Sequence, residues 1–480
     1  MGALEDGRFD AYVPGVAIGN GGGGFGTGSI EDAVRVLLAG LGEDSGREGL
    51  RKTPMRVAKA LTEGTRGYGQ KVKDIVQGAL FPEAGFDHVR GQAGGFGGLV
   101  VVRDINLFSY CESCLLPFSI LCHVGYVPSG ERVVGLSKLS RVADVFAKRL
   151  QEPQRLVNEV CQALQSSIMP AGVCVSLQCW HIPFPEVLTC NLSPKHSSKS
   201  SVQGWVRTAV SSRTGVFEDK NSSFWNDFYN LLKHRGVGLV SDDSGGSVVH
   251  SWCPSRSNDV PECNGLVKKN SLHNGRTSSM PVVAQSELLA AVTSIIQSLG
   301  EDPLRKELVG TPARYVNWLM YFRKSNLDIK QNGFILNKTD SHESSNGYMP
   351  STDELITELR LPFCAQCEHH LLPFHGVVHV GYFFDGKKQG INRMALQSMV
   401  HFFGCKLQVQ ERLTKQIAEA VYSVLGKGVM VVVEASHVCM ISRGIEKVGS
   451  STATIAVMGK FTGSAKALFL EAISKGNDTG

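Results

Sequence analysis

Cys367-Glu368-His369-His370-Leu371-Leu372-Pro373-Phe374 is the stretch from which the rest of the chain can be read. A thiol and an imidazole at i and i+3 can share one Zn²⁺, because one turn of backbone brings both to the same side. A third ligand is available downstream in Ala435-Ser436-His437-Val438-Cys439-Met440. There His437 and Cys439 stand two apart, a spacing that on a strand turns both side chains to one face. Cys367, His370 and Cys439 thus make three protein ligands, with His369 and His437 beside them. Three ligands leave a coordination position open, the catalytic arrangement rather than the closed structural one.

An altered copy precedes this stretch. Cys111-Glu112-Ser113-Cys114-Leu115-Leu116-Pro117-Phe118 lies 256 positions earlier, and His123-Val124-Gly125-Tyr126 answers His379-Val380-Gly381-Tyr382 at the same offset. Leu41-Gly42-Glu43-Asp44 and Thr53-Pro54 answer Leu299-Gly300-Glu301-Asp302 and Thr311-Pro312 at 258. A repeat of this length is a duplicated domain rather than a solenoid. The expected division is a disordered glycine-rich tail over 1–28, a first domain over 29–235, a linker rich in Ser, Gly, Asn and Asp over 236–283, and a second domain over 284–480.

Each half reads as a helical pair, a strand region, the Cys loop, a long helix, a strand and a last helix. Ser29 is the expected N-cap of the first helix, and Pro54 stands in the first turn of the second. Strands are expected over Leu99–Ile105, His123–Val127, Gly172–Cys179 and Val429–Ala435. Long helices are expected over Ser137–Leu164, interrupted at Pro153, and over Gln397–Leu425, and Phe224–Leu232 is the last helix of the first half. The pattern is α+β, with antiparallel strands and packed helices. Composition excludes other classes. A net charge of +5 is too small to argue for nucleic acid, and no apolar run is long enough to span a membrane. Thirteen cysteines without a disulfide-framework spacing point to a reducing compartment. The N-terminus lacks the blocks of a signal or transit peptide, so a cytoplasmic location is expected.

These strings, together with Gln410-Glu411-Arg412-Leu413-Thr414-Lys415-Gln416-Ile417 and Glu434 to Gly444, resemble GTP cyclohydrolase I, and the tandem arrangement resembles the plant form of that family. The resemblance implies tunnelling-fold (T-fold) domains that join sheets into a ring, with active sites between the subunits of a homo-oligomer. It implies hydrolytic opening of the GTP imidazole ring, release of formate and formation of 7,8-dihydroneopterin triphosphate, the first step towards pterins and folate. It also implies zinc on Cys367, His370 and Cys439, and acid–base roles for His369 and His437. Glu411 would accept hydrogen bonds from the guanine edge, Gln410 would be a further substrate contact, and Arg443 would meet the triphosphate.

Neither half is complete by this comparison. In the first, Cys114 replaces His370, Ser113 replaces His369, Pro183 stands for Cys439, Gln154 for Glu411 and Val187 for Arg443. His181 matches His437 and reads as a structural remnant. Yet the first half keeps the family's Gly-Leu-Ser-Lys-x-x-Arg string, with Ser137, Lys138 and Arg141, and the upstream Arg56 and Lys59. The second half has Arg393 near the missing lysine and Asn317 in place of the other. One pocket could take its metal set and histidines from the second half and its phosphate grip from the first. Cys111 and Cys114, even with Cys122 and Cys179 available, read as relics and core residues, so one zinc per chain is expected. His123 and His379 are open to a structural or a functional reading. Two other functions compete: a catalytically inactive GTP-binding regulatory ring, supported by the degraded first half, and the nitrile-reducing chemistry of T-fold relatives, which would need a nucleophilic cysteine in place of the zinc set.

Overall fold

In the computed structural model, residues 27–82, 98–129, 132–182, 205–219, 222–234, 252–257, 283–332, 354–384, 391–445 and 449–477 are described. Residues 1–26 of the expected N-terminal tail, and Pro183 and Val187, lie outside them.

The first helix, α1 (Thr27–Gly40), buries Ile30, Ala33, Val34, Leu37 and Leu38 on one stripe. It starts two residues before the expected cap, and Ser29 lies inside it, 3.2 Å from Ser294 of the second half. Then come α2 (Thr53–Gly64, Pro54 in its first turn) and α3 (Val72–Val76). A small ribbon pairs β1 (Leu80–Pro82) with β4 (Arg132–Val134). The main elements are β2 (Val100–Cys111), β3 (Pro117–Val127), α4 (Leu136–Ala147), β5 (Leu150–Gln151), α5 (Pro153–Ile168), β6 (Gly172–His181), β7 (Val206–Gly215) and α6 (Ser223–Lys233). The sheet order is β5-β2-β3-β6-β7, antiparallel except for β5 on β2.

A one-turn helix, α7 (Pro254–Ser257), lies in the segment read as linker. The second half repeats the plan: α8 (Gln285–Ser298), α9 (Thr311–Asn332), β8 (Glu354–Cys367), β9 (Pro373–Phe384), α10 (Arg393–Gly404), β10 (Leu407–Gln408), α11 (Gln410–Leu425), β11 (Val429–His437), α12 (Val438–Ile441), β12 (Thr452–Met458) and α13 (Gly463–Asn477). Its sheet runs β10-β8-β9-β11-β12. Each expected long helix is two helices. A two-residue strand splits them, β5 beside β2 and β10 beside β8, because the chain there joins the sheet edge before the next helix starts.

Both sheets bulge at the same place. Asp104 (φ 60°) and Arg360 (φ 57°) sit in the left-handed region, and their N–H groups donate to Nδ1 of His123 (3.2 Å) and His379 (3.4 Å). Both rings are fully buried, and burial pushes both pKa values down. The structural reading of these two histidines therefore has a physical reason: each neutral ring serves as the acceptor for a strained amide.

The two halves are interlocked. The stripe of α1 packs on the matching stripe of α8 (Leu288, Ala291, Val292, Ile295, Ile296). At Gly40 a Cβ would run into the Leu288 side chain, so glycine lets the two helices approach here without displacing it. The start of α2 caps the Cys loop of the second half: Thr53 Oγ1 donates to Glu368 O at 2.7 Å. The start of α9 does the same for the first half: Thr311 Oγ1 donates to Glu112 O at 2.5 Å. Each helical pair thus covers the other half's loop.

Candidate metal centre and its cleft

β8 ends at Cys367 and the chain turns at once. Cys367 N–H bonds Leu372 O (2.8 Å), Leu371 N–H bonds Cys367 O (2.9 Å), and Leu371 takes φ 52°. This turn puts Cys367 Sγ 3.9 Å from His370 Nδ1. The third ligand arrives differently from the sequence expectation. β11 stops at His437, and Cys439 lies in the one-turn helix α12, so strand alternation does not place it. The helical turn carries Cys439 back to the loop, and the ligand atoms of Cys367, His370 and Cys439 all lie within 4.8 Å of one another. A hydrogen bond from the Cys439 thiol, and then one from His370, hold the Cys367 thiol below its ordinary pKa despite burial. That contact pushes Cys439 up. A thiolate formed this readily beside a second thiol and an imidazole fits a divalent, thiophilic metal ion.

His437 lies flat on Phe374, with ring centroids 4.7 Å apart and planes 4° apart. Its Nε2 is 2.7 Å from Gln410 Oε1. The Gln410 amide nitrogen donates to Val433 O (3.0 Å) and Thr452 O (2.8 Å), so its oxygen must accept and His437 Nε2 carries the hydrogen. Gln410 was read as a substrate contact. It is buried, with its amide nitrogen on two backbone carbonyls and its oxygen on His437 Nε2. His369 is partly exposed, 3.8 Å from Glu368. Glu368 itself is buried between Arg47 (2.7 Å) and Arg412 (2.6 Å). Against the desolvation of burial, these arginines hold its carboxyl below the usual range. In the first half Arg155 (3.0 Å) and Arg305 (3.1 Å) flank Glu112 in the same way, but there burial prevails and pushes the carboxyl up.

Arg443 follows α12, where its Nε donates to Cys439 O at 2.9 Å. It lines a cleft between the halves with Arg66, Asn106, Asp144 and Lys148 of the first half. Arg66 and Lys148 belong to no string that sequence reading singled out. Lys148 is buried, 3.1 Å from Phe108 O and over the Phe108 ring, and burial pushes its pKa down to about 8. Glu411 is exposed and lines a different, shallow groove with Thr414, Lys415 and the outer edge of β12. Half-buried Arg56 and exposed Lys59 ride on α2, whose Val57 and Leu61 line a small cavity together with His370 and Leu372. Ser137, Lys138 and Arg141 occupy the first turns of α4 on the first half, Ser137 and Arg141 exposed. Arg393 donates to Glu358 (2.9 Å) and to Leu359 O (3.0 Å), ties that hold the β8 bulge.

Two curled five-stranded sheets in tandem, one of them bearing an open Cys–His–Cys set, define a tunnelling-fold protein with a candidate metal site. The chain belongs to the GTP cyclohydrolase I family, which it matches over residues 30–218 and 288–474. It is 54% identical to a tomato (Solanum lycopersicum) protein named GTP cyclohydrolase 1, over the whole of both chains. A protein of the same name from Arabidopsis thaliana is 52% identical over 94% of this chain and 91% of its own length. One from Gloeobacter violaceus is 41% identical over 43% of this chain and 85% of its own length, so a single half matches most of it.

Proposed function

We propose that this chain carries out the GTP cyclohydrolase I reaction at the metal loop of its second half, opening the imidazole ring of GTP and releasing formate. The observation that carries the reading is the convergence of Cys367, His370 and Cys439 beside an oriented His437. Zinc held by these three residues would supply Lewis acidity and a nucleophile from water at neutral pH. The chain's own residues supply the rest. With Nε2–H fixed by Gln410, the basic nitrogen of His437 is Nδ1, through which it would take up and return a proton at a purine nitrogen. His369, partly exposed in the same loop, is the second proton carrier.

In the cleft Asp144 pairs with Arg66 (2.6 Å) and Lys148 (3.5 Å), so a triphosphate there would meet Arg443 first and compete with Asp144 for the other two cations, while Arg56 and Lys59 lie on the helix that covers the loop. Glu411 would select guanine from its place beside β12. The outer strands support assembly. β12 pairs with β11 alone among the described residues, and Ile455 and Val457 stand exposed along it. Such an edge calls for a further strand. Sheets joined there into a homo-oligomeric ring would bring Ser137, Lys138 and Arg141 of one chain to a pocket shared with another. The described cysteines are all free thiols, which suits a reducing compartment such as the cytoplasm, and among the described residues no helix is long and apolar enough to cross a membrane. Formate release from GTP by the full chain is the test, with Cys439→Ser expected to fall to background. Undiminished turnover in that variant would overturn the reading. GTP binding without formate release by the unaltered chain would favour the regulatory alternative.

A further inference from the structure

The first half holds a cluster for which the reaction has no use. Cys111 ends β2, Cys114 follows one turn later, His181 ends β6, and Cys253 comes from the segment read as linker. All four are fully buried, and their ligand atoms lie within 4.8 Å of one another. Cys114 Sγ is 3.2 Å and Cys253 Sγ 3.9 Å from His181 Nε2. Sulfur ligands about 2.3 Å from a tetrahedral ion would stand about 3.8 Å apart, and a nitrogen ligand slightly closer to them, so this set of three sulfurs and one nitrogen needs little contraction.

The ring of His181 is oriented for this. Its Nδ1 is 2.8 Å from Ile182 O, which can only accept. Nδ1 therefore carries the hydrogen, and Nε2 turns its lone pair on three thiols. A backbone carbonyl fixing the far nitrogen is the usual support of a metal-bound imidazole. Cys122 and Cys179, the cysteines that sequence reading weighed as partners, stand outside the group.

A packing role accounts for small buried thiols, but not for Cys253. It arrives from 72 residues beyond His181. The described piece around it, 252–257, is too short to hold itself in place. Trp252 packs edge-on to Phe118 (4.9 Å) and His181 (5.2 Å), yet its indole N–H is buried without a partner. That costs about 1–3 kcal/mol, and against it stands a long hydrogen bond from Arg256 Nη2 to Glu307 O at 3.5 Å, so a metal bond at Cys253 would add much to the segment's hold.

We infer that Cys111, Cys114, His181 and Cys253 bind a second, structural Zn²⁺ that fastens the inter-domain segment onto the first half. The two loops then take opposite forms. The second half has three ligands and an open position; the first has four and none, which makes it closed to chemistry. The histidine matching His437 has become a ligand, and the place of the third family ligand is filled from outside the domain. The expectation of one zinc per chain becomes two.

The test is metal content of the full chain purified without chelator. Two zinc ions per chain are expected, one in Cys253→Ser, and one in the double variant Cys367→Ser/Cys439→Ser. The double variant leaves the first-half cluster intact, so it decides the matter even where Cys253→Ser fails to fold. Its remaining zinc should show three sulfur and one nitrogen neighbours by X-ray absorption, and Co²⁺ put in its place should give intense thiolate charge-transfer bands. A single ion in the unaltered chain, lost completely from the double variant, would overturn the inference. So would a disulfide at Cys253, or a second ion that survives Cys253→Ser.

Discussion

The two Cys loops of this chain share a backbone and differ in chemistry. Leu115 and Leu371 take the same left-handed φ, Cys111 and Cys367 close the same turn, and a buried glutamate flanked by two arginines follows each. In the second half the next ligand is an imidazole, and the neighbouring strand end supplies an oriented histidine and a thiol. In the first, the imidazole is replaced by Cys114 and the strand-end histidine turns inward onto the thiols. Duplication let one loop keep its scaffolding role while its reactive groups changed. The scaffold is shared because each half's helices roof the other's loop.

The sharpest way to break this comparison is to change the same position twice. Cys367→Ser removes a ligand of the open site, and formate release should fall to background. Cys111→Ser, in the matching place, should leave release within about threefold while the protein melts earlier, because it removes no group of the reacting pocket. Equal loss of activity in both would show that the halves are not divided as argued.

Gln410→Leu comes next. It removes the acceptor that fixes the His437 tautomer while leaving the helix and the metal ligands in place. General acid–base catalysis contributes about 10²–10⁴-fold, and a misoriented base loses part of it. A fall of about 10²-fold in kcat is expected, with little change in KM and an altered pH profile. The first half has Pro153 at the start of its matching helix and no such device.

Much of this was legible in the sequence. The i, i+3 ligand turn, the repeat and the sheet strands follow from local spacing, and β6 and β11 lie close to where alternation put them. Three features were not legible, each for a physical reason. Cys439 reaches the site through a helical turn, a feature that two-residue spacing cannot distinguish from a strand. The exchange of helices between halves leaves no trace, because the stripes of α1 and α8 have the same pattern whichever loop they cover. Cys253 sits in a segment with no period, and its role exists only through partners 72 and more residues away.

The buried glutamates give a smaller and more discriminating test. Glu368 is held more closely by its arginines than Glu112, and the balance between burial and pairing has opposite sign at the two sites. Glu368→Gln should cost about 2 kcal/mol by urea denaturation, a figure reduced from that of a fully buried pair because the arginines are partly exposed. Glu112→Gln should cost less, because its carboxylate already bears the greater desolvation penalty. The reverse order would mean that the two loops are not held by the same balance of charges.

The smallest effect tests the roofing helices themselves. Thr53 and Thr311 each donate a hydroxyl to the glutamate carbonyl of the opposite loop. Replacing either with valine keeps the shape and leaves a buried carbonyl with one donor fewer, so both variants should lose about 1 kcal/mol of stability. Their functional consequences should differ. Thr53 anchors α2, which carries Arg56 and Lys59 and lies against His370, so Thr53→Val should raise the KM for GTP about threefold with kcat nearly kept. Thr311 anchors α9 over the loop that has lost its reactive groups, and Thr311→Val should leave KM unmoved. A KM shift from Thr311→Val alone would place the nucleotide under the other roof and reverse the division of labour between the halves.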